Sequence, residues 1–129
     1  MLYLGKEYKF RFSVAVSISM AKLCPGGDIS KLREAMTSGG TDGIYKTIAK
    51  MATEMNRAYI LNERFESGLP MKDWAPIEPI SEDMVFNMSN EQFKELANEI
   101  MDAYLGGSKT TQNVEPAQKK IESSSAQQA

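Results

Sequence analysis

Glu91, Glu95 and Glu99 recur at i, i+4 and i+8, a spacing that stacks three carboxylates along one side of a helix. Carboxylates so placed can hold a hard divalent cation, and acids whose proton affinities are pushed apart can share acid and base work. Glu82 and Asp83 form a second acidic pair just upstream. With Lys94 beside the row, the pattern equally describes a solvated helix face, and we read it as one. No cofactor or metal is expected. The chain contains no histidine, which removes Ser-His-Asp triads, Cys-His pairs and imidazole metal ligation together. Cys24 is the only cysteine, so no internal disulfide, CxxC pair or thiolate zinc cluster forms; it reads as a small, semi-buried apolar residue of an intracellular chain. Gly26-Gly27, Gly39-Gly40 and Gly43 lie outside any GxxxxGK[ST] or GxGxxG context and read as turn residues.

The remaining candidates bind rather than react. Arg57 and Arg64 are seven apart and share a helix face, where surface placement explains them and pairing with a partner's carboxylates is the alternative. Nine methionines is high for this length, and Met-rich faces either fill an irregular core or adapt to apolar partner helices. Met51 and Met55 on one helix, Met84 and Met88 on another, and Trp74 in a loop are the partner-binding candidates. Trp74, between Pro70 and Pro76, either pins that loop or projects as an anchor; pinning is the expectation.

The elements that would position these residues follow from pattern. Leu2 to Leu4 and Glu7 to Phe12 flank Gly5-Lys6, which predicts a hairpin with a type II′ turn. In its second arm Tyr8, Phe10 and Phe12 alternate with Glu7, Lys9 and Arg11, so an aromatic face must lie on something helical. Val14, Val16, Ile18 and Met20 recur with period two, as in a strand, while Ser13 is a good N-cap for a helix through Leu23. We read helix, apolar on both sides and therefore central. Pro25-Gly26-Gly27 ends it, and Asp28 caps a short helix carrying Ile29, Leu32 and Met36. Asp42 is expected to cap the main helix, 43–66, where Ile44, Ile48, Met51, Met55, Ala58 and Tyr59 trace one buried face and Gly68 supplies the C-terminal stop. Pro70, Pro76 and Pro79 keep 69–80 irregular, with Met71, Trp74 and Ile77 as apolar anchors. Ser81 opens a helical turn, and Ser89 with Gln92 forms a capping box ahead of a last helix, 90–105. Gly106-Gly107 should stop it, leaving 106–129 as a disordered tail without aromatic residues or apolar period.

A length of 129 residues with 42% hydrophobic content supports one core, and no apolar run approaches the roughly 18 residues of a membrane span. The formal charge of −2 gives no footprint for nucleic acid or an anionic membrane, so neither is expected as a partner. The start, MLYLGKEYKF, lacks the features of a secretion signal, which suggests a protein that stays where it is made. The fold expected is mainly helical α+β: an N-terminal β-hairpin packed on three to four helices over residues 1–105, then the tail.

Two segments carry a resemblance. Leu4-Gly5-Lys6-Glu7-Tyr8-Lys9-Phe10-Arg11-Phe12, leading into a helix, resembles the opening hairpin of the tail assembly chaperones of long-tailed phages and prophages of Gram-positive bacteria. Met88-Ser89-Asn90-Glu91-Gln92-Phe93, followed by Leu96 and Ile100, is similar to the start of that family's closing helix. The likeness spans about residues 2 to 105; the Pro-rich loop around Trp74 does not match the family pattern. It implies a small, mostly helical, non-enzymatic protein of the host cytoplasm that binds the tape measure protein, keeps its long apolar helices soluble and helps recruit tail tube subunits. It also implies absence from the finished virion, and many such chaperones have a longer frameshifted form. The family has no catalytic motif to carry over. Homo-oligomerisation is left open. The alternatives are a structural tail or head-completion subunit, and a carboxylate-dependent metal enzyme built on Glu91, Glu95 and Glu99.

Overall fold

A computed structural model describes residues 1–112, with side chains through Gly106; the expected tail beyond Gln112 lies outside the described residues. The chain is mainly helical with a two-stranded N-terminal hairpin, as the patterns predict. Strand β1, Leu2–Tyr3, pairs antiparallel with β2, Lys6–Glu7, in the register Leu2 to Glu7 and Tyr3 to Lys6. The connection is therefore Leu4-Gly5, one residue earlier than expected, and positive φ at both positions (50° and 82°) makes it a type I′ rather than a type II′ turn. Leucine seldom adopts this conformation, which is why the sequence pointed to Gly5-Lys6 instead. Beyond β2, residues 8–13 belong to no strand or helix. Tyr8 is buried and Phe10 and Phe12 half-buried against the core, with Lys9 and Arg11 outward.

Helix α1, Val14–Ala21, starts where Ser13 Oγ accepts the Val16 N–H at 3.4 Å. It is not central. Val16 and Met20 are buried against the third helix, while Val14 and Ile18 on the other side are 77% and 59% exposed. Eight residues give it too little length to be enclosed, and its main helical contact is with α3. Cys24 is buried just beyond, its Sγ 3.3 Å from Met20 O. Burial, with the charge of Asp28 behind it, pushes the thiol upward in pKa and leaves it a packing residue.

Asp28 accepts from the Ser30 N–H and hydroxyl, opening a 3₁₀ turn, Ile29–Lys31, that leads into α2, Leu32–Ser38. Gly39 alone joins α2 to α3, Gly40–Ser67. The corner is tight: a Cβ on Gly39 would come within 2.9 Å of Gly43 Cα. Because α3 begins at Gly40, Asp42 sits inside its first turn and pairs with Lys46 at 3.0 Å instead of capping it. Ile48, Met51, Met55 and Ala58 form the buried stripe, joined by Ala52, while Ile44 is 39% exposed at the start of the helix. Each large side chain on the stripe stabilises by about 1.5–3 kcal/mol as an upper bound. The other four helices all pack on α3 or on elements it supports. It ends at Gly68, whose φ of 79° is the left-handed stop the sequence indicates.

Residues 69–80 contain one 3₁₀ turn, Met71–Asp73. Met71 is 65% exposed and anchors nothing; the residue that seats the segment is Ile80, fully buried. The reason lies on α3. Asn56 Oδ1 accepts the Ile80 N–H at 2.8 Å and Thr53 Oγ1 donates to Ile80 O at 2.8 Å, so one turn of α3 holds both backbone groups of Ile80. Ser81 then caps α4, Glu82–Phe86, accepting the Met84 N–H. The Ser89–Gln92 capping box forms, with bonds of 3.2 and 3.0 Å, and opens α5, Asn90–Gln112. Leu96 and Ile100 are its buried residues, and the helix passes through Gly106-Gly107 rather than stopping there. Among the described residues no helix is long and apolar enough to cross a membrane.

Candidate functional site

The acidic row does not assemble a site. Among the described residues no group of three acidic or thiol side chains is placed to hold a metal ion. Glu99 instead meets the chain's amino group: the Met1 ammonium lies 3.1 Å from Glu99 Oε1, 2.7 Å from Glu7 Oε2 and 2.6 Å from Tyr8 O. Desolvation alone would lower the pKa of this amine, but hydrogen bonds to the two carboxylates outweigh it and raise the value. Glu7 is correspondingly held below the usual carboxylate range, chiefly by its bond to the ammonium. This cluster locks the hairpin to α5 and uses up the one acid of the row that touches another charged group.

The methionine candidates divide. Met51 and Met55 are fully buried in the core, so neither offers surface to a partner in this fold; a residue on the stripe of a spine helix is consumed by packing. Met84 and Met88 are half-buried against the core from α4 and the turn after it. Trp74 is half-buried, donates Nε1–H to Leu69 O at 2.9 Å and stands edge-on to Phe65 with ring centroids 5.1 Å apart. Arg64 Nη1 donates to Ala75 O at 2.7 Å on the same loop. Both interactions pin the Pro-rich segment, the role expected of Trp74.

The surface these elements leave open lies elsewhere. A groove of about 1190 Å³ runs between the outer side of α1 and the C-terminal half of α3, with Phe10 and Phe12 at its base and Tyr104 of α5 at one side. Val14 and Ile18 form one wall; Ala58, Leu61 and Phe65 form the other. Phe65 is 59% exposed, and Phe12 stacks edge-on to Tyr104 with centroids 4.9 Å apart. Glu54, Ala58, Leu61 and Phe65 follow one face of α3 over eleven residues, about 16 Å of groove at 1.5 Å per residue. The groove is larger than most small-molecule sites and is partly open to solvent.

Sequence reasoning did not single out Val14, Ile18, Phe65 or Arg11. A signal for the first two was present, since α1 has no polar face; an eight-residue helix of that kind, buried on one side, must leave an apolar side uncovered. Arg57, which was singled out, lines the groove, whereas Arg64 is occupied by the loop. No protein-family model matches the chain, and neither a curated protein nor a solved structure matches it.

Proposed function

We propose that the protein is a non-catalytic binding protein, a phage tail assembly chaperone acting in the host cytoplasm, which covers apolar helices of the tape measure protein and helps recruit tail tube subunits. One observation carries the reading: the apolar groove between α1 and α3, with Val14, Ile18 and Phe65 open to solvent in a chain of 129 residues. Apolar side chains gathered along one open groove, rather than scattered singly, support an interaction surface. A groove walled by two helices takes a third by its apolar face. The opening and closing motifs that resemble the chaperone family supply the partner's identity.

Co-expression tests it. The tape measure protein of the same phage should stay soluble and co-elute with this chain without ATP, metal or any cofactor, and Ile18→Asp should release it. Equal solubility of the tape measure protein on its own, or this chain at stoichiometric levels in purified virions, would overturn the proposal; the second result would put the structural-subunit alternative first.

A further inference from the structure

The charges along the groove are unbalanced in a way that specifies its occupant. Arg11, Glu54 and Arg57 line it, and Glu54 is already paired with Lys50 at 3.5 Å. Arg11 and Arg57 are exposed, and among the described residues neither takes part in an ion pair or a side-chain hydrogen bond. They also enter the groove at one level, because the Arg11 N–H donates to Met55 O at 3.0 Å, two residues before Arg57. A groove whose α3 wall is about 16 Å long therefore carries two uncompensated guanidiniums beside one end of that wall.

We infer that the groove selects amphipathic helices of about three turns whose apolar stripe is bordered by carboxylates, with Arg11 and Arg57 as the residues that set this preference. The inference rests on the chaperone reading for the source of such helices, and on the groove alone for their chemistry. Guanidinium forks pair with carboxylates in a fixed, often bidentate geometry, and seating a helix on the floor would partly dry both pairs. A helix bordered by lysine would meet the same arginines with like charge. A small apolar ligand would leave most of a groove this open unfilled and would have no use for the two cations.

The test uses the full chain and two fluorescently labelled, stapled helices of about 15 residues with identical leucine stripes, one bordered by Glu and the other by Lys. At about 0.1 M salt the Glu-bordered peptide should bind roughly tenfold more tightly, the combined effect of two partly exposed pairs. Arg11→Glu with Arg57→Glu should reverse the order, and Ile18→Asp should weaken both peptides, each variant being checked for an unchanged melting curve. At about 1 M salt the preference should collapse while binding persists, since screening removes the charge contribution and leaves the apolar one. Equal affinity for the two peptides, or a preference unchanged by charge reversal, overturns the inference. Such a result, with Ile18-dependent binding intact, leaves the chaperone reading standing. Failure of both peptides, accompanied by an Ile18-dependent dimer in sedimentation, overturns the inference in favour of a second copy as occupant. Peptide selectivity as expected but no effect on tape measure solubility would support the groove's specificity and overturn the chaperone reading.

Discussion

Replacing Asn56 by alanine removes two hydrogen bonds that join three separate parts of the chain. Its Nδ2–H donates to Lys9 O at 2.9 Å and its Oδ1 accepts from the Ile80 N–H at 2.8 Å, tying the N-terminal arm and the end of the Pro-rich loop to the middle of α3. The two losses are unequal. Ile80 is fully buried, so its orphaned N–H carries the full desolvation penalty, about 1–3 kcal/mol. The bond to Lys9 O is only part-buried, so it is worth about 0.5–1.5 kcal/mol. The sum, roughly 1.5–4.5 kcal/mol, is well above the ±0.5 kcal/mol of an ordinary surface change. Urea unfolding at fixed m-value should show it as a shift in midpoint. Thr53→Val, which removes the bond to Ile80 O, should cost about 1 kcal/mol, and the double variant should cost less than the sum, because both side chains hold the same residue. Asn62→Ala, which removes only an exposed side-chain bond to Glu66, is the control and should stay within about 0.5 kcal/mol. An Asn56→Ala penalty below about 1 kcal/mol would refute the claim that Ile80 is held by α3 rather than by its own apolar burial.

Gly39→Ala should destabilise by about 1–3 kcal/mol, read by thermal unfolding, because the added methyl meets the backbone of Gly43 at 2.9 Å and neither helix can yield without moving. Stability should fall as pH rises above 8.0, the ordinary value of the amine: the folded value is raised, so the contribution is complete below the unfolded value and is lost as pH passes through the folded one. Glu7→Gln with Glu99→Gln, in a chain beginning at Met1, should flatten that alkaline decline relative to the parent, and an unchanged slope would count against the cluster. EDTA, or added magnesium or zinc, should leave the melting temperature unmoved, and calorimetry showing a micromolar site lost in Glu95→Ala would revive the metal-enzyme alternative.

Local signals located most elements because their causes are local. The Ser13 and Ser81 caps, the Ser89–Gln92 box and the Gly68 stop each satisfy backbone groups within a few residues, and the α3 stripe follows from helical period alone. What depended on distant partners was not legible. Leu4 adopts a positive φ that its residue type does not announce, and the hairpin turn moved by one residue. The outward side of α1 has the same composition as the inward side, so no pattern within 14–23 could tell a covered face from an open one. Asn56 looked like one polar residue on a buried helix, and its two partners lie 47 and 24 residues away. The groove was hidden for the same reason, being made by the outer side of α1 and the far half of α3.

The N-terminal arm is made before every surface it packs on. Tyr3 accepts a hydrogen bond from Asn87, and Phe12 stacks on Tyr104, so the surfaces that receive the arm are translated some 80 to 90 residues after it. At about 5–20 residues per second α3 arrives first, and the row Tyr8, Phe10 and Phe12 lacks its α5 seat for roughly 4–18 s of each synthesis. Through that interval part of an aromatic segment stays uncovered, the kind of segment that pairs with other chains. Glu7, Lys9 and Arg11, alternating with the aromatic residues, are charges of the kind that keep such segments from pairing with other chains.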